Sequence, residues 1–192
     1  MIPTLPLALR NRLAGTILAA LHDGRARAEL ASLAAREAAE RWLAGGDGRW
    51  TSALSERARR ASAALSGRPL RAAPADLATA LDDAAVLFEA GLHFEVHEIL
   101  EPHWVTSRGD TREALQGLIQ AAVGFQHLAN GNLAGARSLL VEAAGRLHER
   151  RVLGRDLDPF ARGAAAAAAA VAAGTPVRVP PFPGPGLPSP PF

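Results

Sequence analysis

Apolar residues recur every three or four positions along most of this chain. Leu30, Ala34, Ala38 and Trp42, for example, are spaced so that they lie on one face of an α-helix. Runs that alternate between apolar and polar residues, as in half-buried strands, extend over a few residues at most, and β-branched residues are scarce. We therefore predict an all-α fold, a compact helical bundle or array.

Stretches rich in Gly and Pro divide the 192 residues into three parts. Residues 1–75 form an Arg- and Ala-rich helical segment, which is either an extra layer on the core or a small separate domain. Residues 76–173 form the predicted helical core, and residues 174–192 form a Pro-rich tail that we expect to be extended and largely disordered. The predicted helices are residues 7–22, 26–44 and 51–66 in the first part and residues 76–101, 110–129, 133–150 and 157–173 in the core.

The composition limits the classes of function. The chain has no Cys, which excludes disulfides, thiolate metal sites and a Cys nucleophile. Its longest uninterrupted apolar stretch, residues 164–173, is far shorter than the ~20 residues of a membrane span. The apolar start of the chain is interrupted by arginines and does not match a signal peptide. We expect a cytoplasmic protein with no membrane partner.

The charge is unevenly distributed along the chain. Residues 1–75 carry 12 Arg and 6 acidic residues, whereas residues 76–192 carry 9 Arg and 13 acidic residues. An Arg-rich half is compatible with nucleic-acid binding. No nucleic-acid motif accompanies it, so we favour arginines that are solvated or packed against the acidic half, and we rank nucleic acid as the weakest candidate partner.

Residues 91–104, GLHFEVHEILEPHW, contain the side chains most suited to chemistry. In a helix, His97 and Glu101 are one turn apart and can ligate one divalent metal ion, to which Glu98 or a neighbouring helix can add a third ligand. With N and O donors and no thiolate, Zn, Mn, Fe and Ni are all compatible with such a site. The predicted long helix places His97 and Glu101 in an apolar stripe with Trp104, so we expect the pair to be buried.

The following helix supplies residues that face this pair. Gln116, Gln120 and His127 share one of its faces. If the two helices fold antiparallel, Gln116 lies near Glu101 and Gln120 lies near His97, with His127 roughly 10 Å farther along. The same geometry also fits a buried hydrogen-bond network that holds the helix pair in register without any ion.

Several sequence blocks resemble one family. The stretch FEAGLHFEVHEILEPHW, followed by QGLIQAAVGFQHLANGNLAGARSLL, is similar to the domain of unknown function 309 (DUF309) family over about residues 82–148. The family's His-x3-Glu-x2-Trp/Tyr motif corresponds to His97, Glu101 and Trp104. The resemblance implies a small all-helical bacterial or archaeal protein in which His97 and Glu101 are metal ligands and Trp104 packs beside them.

These observations support three functions. The first is a helical domain that binds a divalent metal ion, including a hydrolase that activates a metal-bound water. The second is a non-catalytic interaction module in which the same polar residues form the buried network. In that case the Pro-rich tail and a tetratricopeptide-like helix, GNLAGARSLLVEAAGRL, face a protein partner. The third is nucleic-acid binding through the Arg-rich segment.

Overall fold

The fold was analysed in a computed structural model that describes residues 5–43, 48–70 and 76–185. Within these ranges the chain forms nine α-helices and one short β-hairpin, which confirms the all-α prediction. The N-terminal helices are α1 (Leu7–Ala20), α2 (Gly24–Ser32), α3 (Arg36–Trp42) and α4 (Thr51–Leu65), with a single 3-10 turn at Gly48–Trp50 before α4. The later elements are α5 (Leu77–Glu89), α6 (His93–Thr106), α7 (Gly109–Ala129), α8 (Leu133–Leu147), β1 (Arg151–Val152), β2 (Arg155–Asp156) and α9 (Asp158–Ala173).

The predicted long helix over residues 76–101 is wrong, because the chain turns at Gly91 and forms α5 and α6 instead. Gly91 has a φ of 70°, the left-handed conformation that glycine adopts without steric cost. The amide of Gly91 donates to Phe88 O and the amide of Leu92 donates to Leu87 O, each at 2.8 Å. This pair of bonds is a Schellman motif, which ends a helix and redirects the chain.

Helix α6 also extends farther than predicted, through Pro102 to Thr106. A proline inside a helix lacks the amide that would bond to the carbonyl four residues earlier, here that of Glu98. The hydroxyl of Thr106 donates to the carbonyl of Pro102 at 3.2 Å, which adds a side-chain bond to the last turn. The antiparallel pairing of α6 with α7 follows after a connection of two residues, Ser107 and Arg108.

The predicted helix over residues 26–44 is also divided into two. Ala35 has an extended backbone (φ −84°, ψ 137°) and precedes α3, so that Leu30 and Trp42 lie on different helices although both are buried. Neither glycine nor proline marks this break in the sequence, which is why the periodicity alone suggested one continuous helix.

A β-hairpin that the sequence analysis did not predict connects α8 to α9. Arg151 pairs with Asp156 and Val152 with Arg155 in antiparallel register. Leu153 and Gly154, at the turn, have φ values of 47° and 77°, as a two-residue type I′ hairpin turn requires. Strands of two residues are too short to show an alternating sequence pattern.

The N-terminal segment packs on the core as an extra layer. Buried apolar residues of α1 to α4 belong to the same hydrophobic cluster as those of α5 to α9. Helix α1 contacts α6, and α4 contacts α5. Arg57 of α4 makes two hydrogen bonds, at 3.0 and 2.5 Å, to the carboxylate of Glu95 of α6, whose side chain is fully buried.

The described part of the Pro-rich tail, residues 174–185, forms no helix or strand but packs against the core, whereas we predicted a largely disordered tail. Phe182 is buried, with ring centroids 5.4 Å from Phe88 and 5.7 Å from Phe160. Its amide donates to the Glu89 carboxylate at 2.9 Å, and Arg155 donates to Pro183 O at 2.9 Å. The prediction for residues 186–192 lies outside the described residues.

None of the helices in the described ranges has the length and apolar character that a membrane crossing requires.

Candidate metal centre

Three potential ligands project from neighbouring positions on α6. His97 and Glu98 are half-buried and Glu101 is exposed. One ligand atom from each of these side chains lies within 4.8 Å of the others. We predicted His97 and Glu101 as ligands, with a third from Glu98 or from a neighbouring helix, and the structure brings His97, Glu98 and Glu101 together.

His97 and Glu98 also contact each other directly. Nδ1 of His97 lies 2.9 Å from Oε1 of Glu98. An ionised carboxylate only accepts hydrogen bonds, so Nδ1 carries the proton that is donated to Glu98. In the neutral imidazole, Nε2 then carries the lone pair, which is the form of histidine that binds metal.

A cavity of about 190 Å³ lies beside these ligands, between α6 and α7. The predicted partners Gln116 and Gln120 line it together with Trp104. The indole N–H of Trp104 and the amide oxygen of Gln120 are both buried without a hydrogen-bond partner among the described residues. The full lining is His97, Glu101, Trp104, Gln116, Ile119 and Gln120.

The expected burial of the His97–Glu101 pair is wrong. The predicted burial assumed one continuous helix from residue 76 to residue 101. Because the chain breaks at Gly91, α6 starts as a new helix, and a different set of its residues faces the core. In α6 the core is faced by Val96 and Leu100. Glu101 is therefore exposed, and its negative charge lies at the rim of the cavity rather than in its interior.

The predicted polar network does not form as expected. The amide nitrogen of Gln120 donates to a carboxylate oxygen of Glu142 on α8 at 3.0 Å. Within the described part of the chain, no hydrogen bond joins His97 or Glu101 to Gln116 or Gln120. The glutamines share a cavity with the His–Glu pair but do not hold it in place.

His127, the last predicted site residue, lines a neighbouring cavity of about 260 Å³. His97 forms part of the wall of both cavities. Arg10 of α1 also lines the second cavity, and the sequence analysis missed it, because only the docking of α1 on α6 brings it there. The full lining is Arg10, Phe94, His97, Val123, Gln126, His127 and Asn130.

His93, one turn before His97, lies outside the metal centre. Its ring is buried, with centroids 4.8 Å from Phe88 and 5.7 Å from Phe125. Burial, followed by the positive charges of Arg57 and Arg60, lowers the pKa of His93 to about 4. His93 is therefore a neutral core residue at pH 7.

Comparison with known proteins shows that part of the chain is similar to a known family. Residues 81–139 match the model of the family described as "Domain of unknown function (DUF309)", which confirms the resemblance. The matched segment runs from α5 into α8 and contains every predicted site residue, but not Arg10. No curated protein matches the chain, and no solved structure matches it.

Proposed function

We propose that the DUF309 domain at residues 81–139 binds one divalent metal ion through His97, Glu98 and Glu101. The observation that carries this proposal is the convergence of the three side chains on one side of α6, with ligand atoms within 4.8 Å of one another. One neutral imidazole and two carboxylates form a ligand set with a net charge of −2, which balances a divalent cation. Nitrogen and oxygen donors without thiolate suit Zn, Mn, Fe or Ni.

The distribution of ion pairs also supports this proposal. The chain has 21 arginines, and the buried Glu95 is paired with Arg57. Within the described ranges, Glu98 is paired only with His97, and Glu101 forms no ion pair. Two neighbouring carboxylates without an arginine partner favour the binding of a cation.

The geometry is close to that of a metal site. Metal–ligand bonds to His and carboxylates are about 2.0–2.2 Å long, so ligand atoms in a formed site lie closer together than 4.8 Å. Rotation of the half-buried Glu98 and the exposed Glu101 can close this gap, and Glu98 then exchanges the hydrogen bond that it accepts from Nδ1 of His97 for a bond to the ion. A divalent ion held by three protein ligands keeps a position for water, whose pKa it lowers, and so supplies hydrolytic chemistry.

The residues of the first cavity would then bind the ligand of the metal site. Trp104 offers an indole N–H and Gln120 an amide oxygen, both without partners among the described residues. The alternative function, an interaction module built on a buried network, has less support. Glu101 is exposed, and Gln120 is bonded to Glu142 instead.

Calorimetric titration with Mn²⁺ and Zn²⁺ tests the proposal. The protein should be purified without an affinity tag and stripped with a chelator before titration. We expect one site per chain in the wild type and affinity reduced by more than about tenfold in His97→Ala, since loss of even an indirect contact to a metal commonly has that effect. Glu101→Gln, which keeps the shape of the side chain, should also weaken binding.

His103→Ala is the matched control, because His103 lies on the same helix and is half-buried but is not in the ligand group. Its metal affinity should equal that of the wild type. A wild type that binds neither ion would contradict the proposal, as would equal binding by His97→Ala. If His97→Ala had a lower melting temperature than the wild type but bound metal equally well, the interaction module would be supported instead.

A further inference from the structure

Arg10 is a cation that the described protein leaves without an acidic partner. Its guanidinium lies 4.2 Å from the ring centroid of Phe94. Nε of Arg10 is buried and has no hydrogen-bond acceptor, and no carboxylate in the described ranges pairs with its side chain. The Arg10 side chain lines the second cavity, where its positive charge favours the binding of an anion.

His127 adds a second donor, because its tautomer is determined by its neighbour. The side-chain oxygen of Asn132 accepts the amide of Gly135 at 3.0 Å, as the N-cap of α8. This bond orients the Asn132 amide nitrogen toward His127, where it lies 2.9 Å from Nδ1. Since an amide nitrogen only donates, Nδ1 of the neutral ring is the acceptor, and the proton is on Nε2.

The lining of the second cavity thus contains a guanidinium and an imidazole N–H, and it contains no carboxylate. Phe94 and Val123 supply apolar wall. A cavity of about 260 Å³ is smaller than a typical site for a drug-sized ligand. These properties fit an anionic group attached to a few carbon atoms.

We propose that this second cavity binds the phosphate or carboxylate group of a small organic ligand, with Arg10 as its main contact. The proposal rests on the proposed metal site for the rest of the ligand, because His97 lies in the wall of both cavities and places an anion held by Arg10 beside one metal ligand. The Phe94 ring is stacked on His97, at 6.2 Å between centroids, and connects Arg10 to the metal ligand. A planar guanidinium matches phosphate and carboxylate in bidentate geometry.

Titration of the metal-free protein with inorganic phosphate, and separately with acetate, tests this anion site. Phosphorus NMR follows the phosphate and calorimetry follows the acetate. Wild type should bind at least one of the two anions, and Arg10→Met should bind it about tenfold or more weakly, because a charge-assisted hydrogen bond is lost. The anion that binds more tightly shows whether the ligand carries a phosphate or a carboxylate group.

Arg12→Met is the matched control. Arg12 is also on α1 and also lies over an aromatic ring, that of Trp42, at 3.7 Å, but it is not part of the cavity. This variant should bind the anion like the wild type. Equal binding by wild type and Arg10→Met would overturn the proposal, as would no binding of either anion by the wild type.

Two further measurements separate this proposal from the metal function. Mn²⁺ titration of Arg10→Met should equal that of the wild type. Anion binding that depends on Arg10 in a protein that binds no metal would support the anion site and refute the metal function. Metal binding by a protein whose anion binding does not depend on Arg10 would support the metal function and refute the anion site. If circular dichroism shows that Arg10→Met is unfolded, the His127→Leu variant is titrated instead. We expect His127→Leu to bind the anion more weakly than the wild type. Unchanged anion binding would overturn the proposal.

Discussion

Burial separates two histidines of α6 that look alike in the sequence. His93 and His97 are four residues apart and both have acidic neighbours. His93 is packed between aromatic rings, which penalises its charged form, whereas His97 reaches the surface and donates to Glu98. The first is therefore a structural residue and the second is available as a ligand.

His93 should make the protein less stable in mild acid. Its folded pKa, about 4, is below the ordinary value of 6.5. Between these values the unfolded chain binds a proton that the folded chain does not, so stability is lost as the pH falls through this window. We expect the free energy of unfolding to decrease by about 2 kcal/mol from pH 7 to pH 5 because of this group.

Urea denaturation of wild type and His93→Phe at both pH values measures this contribution. Carboxylates titrate in both proteins. The contribution of His93 is therefore the loss of unfolding free energy between pH 7 and pH 5 in the wild type minus the loss in His93→Phe. Phenylalanine preserves the aromatic packing against Phe88 and Phe125. An equal loss of stability in the two proteins would show that burial does not depress the pKa of His93.

Part of the candidate site could be predicted because it is local in the sequence. The spacing of His97 and Glu101, and the position of Gln116 and Gln120 across a short connection, depend only on two adjacent helices. Arg10 could not be predicted, because it reaches the site through the packing of α1 on α6, and periodicity carries no information on such long-range contacts.

At the level of elements, helix breaks account for most differences from the prediction. The helix content was predictable from apolar spacing, but the single turn at Gly91 changed which face of α6 is buried, and so exposed Glu101. A glycine within a helical pattern is often tolerated without a break. Only the packing of α5 and α6 against the other helices decides whether the helix continues through Gly91 or ends there.

Close contact between α7 and α8 depends on a small residue in α7. A Cβ atom placed on Gly117 would lie 2.7 Å from the fully buried side chain of Leu147 and 3.2 Å from Cβ of Arg146, so the packing of α8 would have to shift. We expect Gly117→Ala to lower the free energy of unfolding by about 1 to 2 kcal/mol, because the overpacking exceeds the gain in helix propensity.

Gly145→Ala, in α8, is the matched control for helix propensity. A Cβ atom at Gly145 has no heavy atom of another residue nearby, and the residue is exposed. This variant should be as stable as the wild type or more stable by up to about 1 kcal/mol. Chemical denaturation of both variants checks the pair, and a Gly117→Ala variant as stable as Gly145→Ala would contradict the packing.

At the level of the whole molecule, the Arg-rich segment and the acidic core are joined by ion pairs. Arg57 binds Glu95, and Arg68 lies 3.7 Å from Asp83 of α5. Other arginines of the segment pair within their own helix, as Arg36 does with Glu40. Internal pairing supports the interpretation that these arginines serve the fold, and it leaves less positive charge for a nucleic acid.

The C-terminal tail should contribute to global stability, because Phe182 fills part of the aromatic cluster around Phe88. We expect Phe182→Ala to lower the free energy of unfolding by about 2 kcal/mol, the value of burying one such side chain. Val179→Ala is the control, since Val179 is exposed on the same segment. Thermal and urea denaturation measure both variants, and equal stability of the two would mean that the tail is not docked in solution.

Anomalous X-ray scattering from crystals grown with Mn²⁺ or Zn²⁺ tests the metal site most directly. The metal-binding proposal predicts one peak within about 2.3 Å of a ring nitrogen of His97 and of carboxylate oxygens of Glu98 and Glu101. His148 follows the C-terminal end of α8, and its Nδ1 lies 2.8 Å from the carboxylate of Asp158 in α9. The exposed His148 and this carboxylate form a competing site for metal. A peak at His148 alone, or no peak beside His97, would contradict the proposal.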